Sequence, residues 1–258
     1  MARYLLLLAY DGGDFAGWWR QPGRRSVAGE ILAACQRLGE QPADCVGAAR
    51  TDAGVHAWAQ VAAIDLSRDW DGGTLAHQLS GQLPPDVVCR AALRVADDFP
   101  LLGRIQGKTY RYRFDIGATR NPFLARSSWR PPLAPLPDLT ALRSAAQACL
   151  GRRDWRGLAR RGDHREDYHC SIQRVEWTDA MPERWVEITG DRFTYRLVRS
   201  LVAVWWAVAR GDVSAEDFSG LLAGKDTACA AHQAPARGLC LQAVAVDGAP
   251  AWEWPQGA

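Results

Sequence analysis

Tyr110-Arg111-Tyr112-Arg113-Phe114-Asp115-Ile116 sets apolar or aromatic side chains against charged ones in strict alternation. A period of two belongs to a strand with one buried and one wetted face, and the wetted face here is basic. Toward the C-terminus, a proline-rich link at 131–137 precedes Leu139, Leu142, Ala146, Cys149 and Leu150, which share one face of a helix. Patterning then predicts strands near 171–178 and 184–190, a long helix at about 194–210, a short one at 214–224, and a last strand near 238–246. The N-terminal side repeats this order without repeating the sequence. Residues 3–10 read as a strand closed by Asp11-Gly12-Gly13. Val27, Ile31, Ala34 or Cys35, and Leu38 line a helix that Ser26 is placed to cap. Strands near 44–49 and 57–65 flank the turn Arg50–Gly54, and a helix at about 73–83 stops at Pro84-Pro85 before a strand at 86–95. Each half reads βαββαβ, the ferredoxin-like split unit. The expected fold is therefore α+β, with halves 1–105 and 106–258, antiparallel sheets and a cleft between them.

Composition narrows the class. A chain of 258 residues that is 48% hydrophobic has enough apolar side chain for a core, which excludes disorder and coiled coil. The longest apolar run, Leu201–Ala209, is far short of the roughly 20 residues a bilayer needs. Tyr4–Tyr10 is too short for a signal-peptide core, so a cytoplasmic protein without a membrane span is expected. Lys108 and Lys225 are the only lysines among 31 basic residues, a bias that a GC-rich genome explains more simply than function does. Arg152, Arg153, Arg156, Arg160, Arg161 and Arg165 are locally clustered, which suits a solvated face or a loop that tracks phosphates. Seven scattered cysteines without C-x-x-C, and five histidines without H-x-x-x-H, predict neither disulfides nor a structural metal.

The sharpest chemical feature is Gly47-Ala48-Ala49-Arg50-Thr51-Asp52-Ala53-Gly54-Val55-His56-Ala57. An Asp before Ala-Gly is first of all a turn-former. The stretch nevertheless resembles the G-x-G-R-T-D-A-G-V-H signature of the tRNA pseudouridine synthase A family. Further similarities are collinear: Tyr10-Asp11-Gly12, Phe15-Ala16-Gly17-Trp18, Ser26–Glu30, Leu83–Val87, Lys108–Tyr112, Asp191–Arg199 and Ala234–Leu241. They span almost the whole chain.

The resemblance implies two ferredoxin-like halves around a cleft, and isomerisation of uridine to pseudouridine in the anticodon stem-loop of tRNA. It also implies a homodimer and no cofactor. Asp52 matches the catalytic aspartate, Arg199 the arginine expected to pair with it, and Tyr110 the active-site tyrosine that stacks on a uracil taken out of the helix. Arg50, Thr51, His56 and Arg111 are the expected substrate contacts. Breaking the bond between uracil N1 and ribose C1′ requires a carboxylate, and a carboxylate inside a dry cleft stays ionised most readily beside a cation. Trp18 and Tyr112 read as core. Val202, Trp205 and Trp206 suit either core or interface, and loop orientation or a phosphate contact suits His56 better than catalysis.

Departures from the family pattern fall at Ala49, Trp19, Gly81, Phe99-Pro100-Leu101-Leu102, Cys170-Ser171-Ile172 and Ala203. They put RNA choice in question more than reaction type. Two other readings remain: an RNA-binding or RNA-folding paralogue with weak catalysis, and an unrelated Asp/His hydrolase. The latter would need a second carboxylate or a nucleophile near Asp52.

Overall fold

β1 (Ala2–Tyr10) is apolar on both faces, with Leu5, Leu6 and Leu8 fully buried. A strand with no wet face belongs in the interior of a sheet. In the computed structural model, which describes residues 1–133, 137–158, 166–225 and 233–249, β1 lies between two antiparallel partners, β3 (His56–Leu66) and β4 (Val87–Arg94). β2 (Cys45–Gly47) adds to β3, giving the order β2-β3-β1-β4. α1 (Val27–Arg37) starts where Ser26 accepts a hydrogen bond from the Gly29 amide, and α2 (Gly72–Gln82) starts where Asp71 accepts one from Thr74.

The second half rebuilds this order from different residues. β5 (Ile105–Asp115) lies between β8 (Glu183–Gly190) and β9 (Leu239–Val246), and β7 (His169–Ala180) pairs with β8, giving β7-β8-β5-β9, again antiparallel. The two sheets fuse where β3 and β9 run parallel, with His56 opposite Cys240 and Ala57 opposite Leu241. The result is one nine-stranded sheet whose last strand sits at its centre.

α3 (Leu139–Ala148), α4 (Leu197–Arg210) and α5 (Ala215–Leu222) belong to this half. α4 is apolar nearly all round, as a helix packed on several sides must be. Val202, Trp205 and Trp206 are core residues rather than interface. Trp206 stacks on Phe114 with centroids 5.6 Å apart, Trp177 stacks on the same ring at 5.9 Å, and the Trp205 indole N–H donates to Cys149 Sγ.

Three expectations need correction. Arg152 and Arg153 do not lie in a loop: they form the edge strand β6 (Gly151–Asp154), paired with β7. That strand has no apolar alternation of its own and is templated by its neighbour. Arg156 stacks over Tyr168, and Arg160, Arg161 and Arg165 lie outside the described residues. Leu139 is 37% exposed because it sits in the first turn of α3, off its buried face. α4 begins at Leu197 rather than 194, because Arg196 has φ 61° and breaks the helical path.

Among the described residues, no helix is long and apolar enough to cross a membrane, and no cluster of three His, Cys, Asp or Glu residues is placed to hold a metal. Cys35, Cys45, Cys89, Cys149, Cys170 and Cys240 are free thiols. Parts of the proline-rich link (134–136), with Cys229, also lie outside the described residues.

Candidate active site

The loop that carries Asp52 runs from β2 to β3, and buried polar bonds fix its shape. Gly47 lets the Trp18 indole lie flat on the strand, since a β-carbon there would come within 2.5 Å of the ring. The Trp18 amide donates to the Thr51 carbonyl at 3.1 Å, and Gly17 and Asp52 form an isolated bridge. The buried Gln60 side chain clamps Ala49, accepting from its N–H at 3.1 Å and donating to its carbonyl at 2.6 Å. The Thr51 hydroxyl is buried 2.8 Å from that of Tyr10, so it braces the loop from inside. Gly54 closes the turn with φ 78°, a left-handed conformation that a side chain disfavours.

His56 ties three segments together and is itself buried. Its Nδ1 accepts from the Gly12 amide at 3.1 Å and lies 3.0 Å from Asp11 Oδ1. Its Nε2 is 2.9 Å from the Arg126 carbonyl and 3.1 Å from that of Arg237. Burial works against ionisation of Asp11, but the Gly13 N–H, His56 and Arg126 outweigh it and hold the carboxyl below its ordinary range.

Asp52 and Arg199 come from opposite halves and meet at the seam. Arg199 Nη1 donates to Asp52 Oδ2 at 3.2 Å, with the two side chains only 11% and 16% exposed. Arg199 is pinned by two further bonds, Nε to the Ala234 carbonyl at 2.8 Å and Nη2 to Gln233 Oε1 at 3.3 Å. Both guanidinium contacts fall on Oδ2, and among the described residues Asp52 Oδ1 accepts no hydrogen bond. Tyr110, on β5, is buried and meets Phe193 edge-on at 5.2 Å. Burial, reinforced by the Asp52 charge, pushes the Tyr110 hydroxyl well above the phenol range, so it stays protonated. Lys108 is set on the same side of β5, and burial lowers its ammonium.

Arg50 is exposed on the loop, with its guanidinium 5.5 Å from the Trp19 ring. Arg111 is not brought to Asp52: pleat alternation turns it to the sheet face opposite Tyr110. There it pairs with Glu187 at 2.7 Å and lies over Trp185. The site also contains two residues that the sequence reading missed. Arg196 Nε is 3.6 Å from Asp52 Oδ2, and Gln233 Oε1 accepts from both Arg196 and Arg199. Neither had a signal in the sequence: Arg196 reaches Asp52 through a left-handed backbone at the start of α4.

This geometry combines a carboxylate, a protonated phenol and two guanidiniums at the seam between two halves. A family model described as tRNA pseudouridine synthase matches residues 145–246. A tRNA pseudouridine synthase A from Solidesulfovibrio magneticus is 37% identical over 256 residues, covering 95% of this chain and 91% of the relative. The chain belongs to the tRNA pseudouridine synthase A family. Relatives of the same name from Streptococcus gordonii (33% identical, 95% of this chain, 98% of the relative) and Geobacter sulfurreducens (32%, 93% and 97%) match over a similar extent. Family membership accords with the repeated βαββαβ order and the fused sheet described above.

Proposed function

We propose that this protein isomerises uridine to pseudouridine in the anticodon stem-loop of tRNA, with Asp52 as the catalytic carboxylate. The observation that carries this reading is the division of labour on one side chain: Arg199 holds Oδ2 while Oδ1 is left to react. A uridine flipped into the groove presents C1′ to Oδ1. Asp52 then adds to C1′ or removes a sugar proton as the N1–C1′ bond breaks. The freed uracil turns and C5 bonds to C1′ as the Asp52–C1′ bond breaks or the abstracted sugar proton is returned; C5 loses a proton and N1 gains one, so the product is an isomer of uridine. Nothing is oxidised or reduced overall, so the reaction needs no cofactor. Tyr110 offers a ring for the uracil to stack on and a protonated hydroxyl beside it.

In this reading His56 and Thr51 shape the loop, while Arg50, exposed at its rim, meets the RNA backbone or the displaced base. Family relatives support tRNA as the substrate, and a homodimer in the cytoplasm is the proposed working form. Sedimentation that finds only monomer at micromolar concentration contradicts the dimer. The function itself is tested by mapping pseudouridines in tRNA from cells with and without the gene. Loss of anticodon-arm pseudouridine in the deletion supports the reading, and an unchanged map refutes it.

A further inference from the structure

We propose that Arg196 binds the RNA phosphate next to the reacting uridine, a role that rests on the tRNA reading of this site. Asp52 is a single carboxylate between two guanidiniums, those of Arg199 and Arg196. Among the described residues no other carboxylate pairs with either arginine, so within that set the trio carries two positive charges against one negative. Uridine itself is neutral. The charge it brings is that of its flanking phosphodiesters.

The two arginines differ in how their donors are used. Arg199 has all three nitrogens bonded and is almost enclosed. Arg196 has a buried Nε with no hydrogen-bond partner, a long 3.4 Å bond from Nη1 to Gln233, and a side chain 37% exposed. Its contact with Asp52, at 3.6 Å, is an ion pair without a hydrogen bond. Its flat face rests over Tyr195, 4.7 Å from the ring centroid. A guanidinium fork that is oriented and reaches solvent with donors to spare suits two phosphate oxygens.

The backbone points the same way. Arg196 is the one non-glycine residue with positive φ among the described residues, and it precedes α4 without making a side-chain cap. Gly or Asn would suit that conformation better. A local rule broken beside the site's carboxylate is characteristic of a functional position.

The test uses Arg196→Gly, which fits the left-handed backbone and removes the guanidinium, together with Arg196→Lys. Both are assayed with the full-length protein on an unmodified tRNA transcript across a salt series. Arg196→Gly should melt no lower than wild type and raise KM by about tenfold, with the loss in kcat smaller than the rise in KM. The slope of log affinity against log salt should become shallower by about one contact. Arg196→Lys should restore the salt slope and part of KM. A KM within twofold of wild type, an unchanged salt slope, or a loss confined to kcat overturns the proposal. If the wild type itself forms no pseudouridine, the functional reading fails instead, so the two failures are distinguishable.

Discussion

The two halves share a strand order and almost nothing else. The first packs the rings of Trp18 and Tyr4 among many aliphatic side chains, Leu5, Leu6, Leu8, Ile31, Ile64 and Leu66 included, and it contributes the negative charge of the site. The second is packed with rings, Tyr112, Phe114, Trp155 and Trp205, and contributes both guanidiniums and Tyr110. Neither half holds a usable site alone: Asp52 would face water without α4, and Arg199 would lack its carboxylate without the β2–β3 loop. A repeated strand order thus places opposite charges face to face across the seam where β9 meets β3.

The comparison of cores can be broken by truncation. Trp206→Ala should destabilise the fold by about 3–5 kcal/mol, more than Leu6→Ala, because it also loses the stack on Phe114. Chemical denaturation checks this, and equal losses would mean that the stack on Phe114 adds nothing to the second core. The charge division is sharpened by Arg199→Gln, which should slow pseudouridine formation by about 10²–10³-fold at unchanged circular dichroism. A rate within a factor of a few would mean that Asp52 does not depend on the other half.

Glu40 gives the first half its own electrostatic anchor. Burial alone would push its carboxyl up, but hydrogen bonds from Ser67, Trp70 and Arg68 outweigh it and bring the pKa down to about 2. A group lowered in the folded state stabilises above its unfolded pKa and loses that contribution as pH falls through the folded value. Glu40→Gln should therefore cost roughly 2–3 kcal/mol near neutrality, with the gap from wild type closing between about pH 4.5 and pH 2. A gap that stays constant over that range contradicts the assignment. The smallest effect is expected at Thr51→Val, which removes the bond to Tyr10 and should lower stability by about 1 kcal/mol in a urea titration.

Local patterning made most of the fold legible. Period-two alternation in β5, the Ser26 cap of α1 and the breaker at Pro84-Pro85 each act over a few residues, so each can be read from the chain. β6 was invisible because its four residues carry no apolar face and take their strand conformation from β7. Two cores with one order were readable, as was the possibility that their sheets join, but the parallel β3–β9 pair that joins them was not, since its partners lie far apart in the sequence. Asp52, Arg199 and Tyr110 were singled out through motif resemblance, and the fold pairs the first two. Arg196 was missed because a left-handed backbone angle brings it beside Asp52, and no residue-type preference for arginine announces that angle. Arg111 misled for the opposite reason: a basic strand face is easily read as an RNA contact, yet its guanidinium is paired with Glu187.

The central claim is that one oxygen of Asp52, with the other held from across the seam, does the chemistry. Purified Asp52→Asn protein mixed with unmodified tRNA tests it most directly, with pseudouridine counted against wild type in the same hour. The account predicts retained tRNA binding and a rate reduced by more than about 10³-fold. Conversion by the variant at the wild-type rate would contradict it.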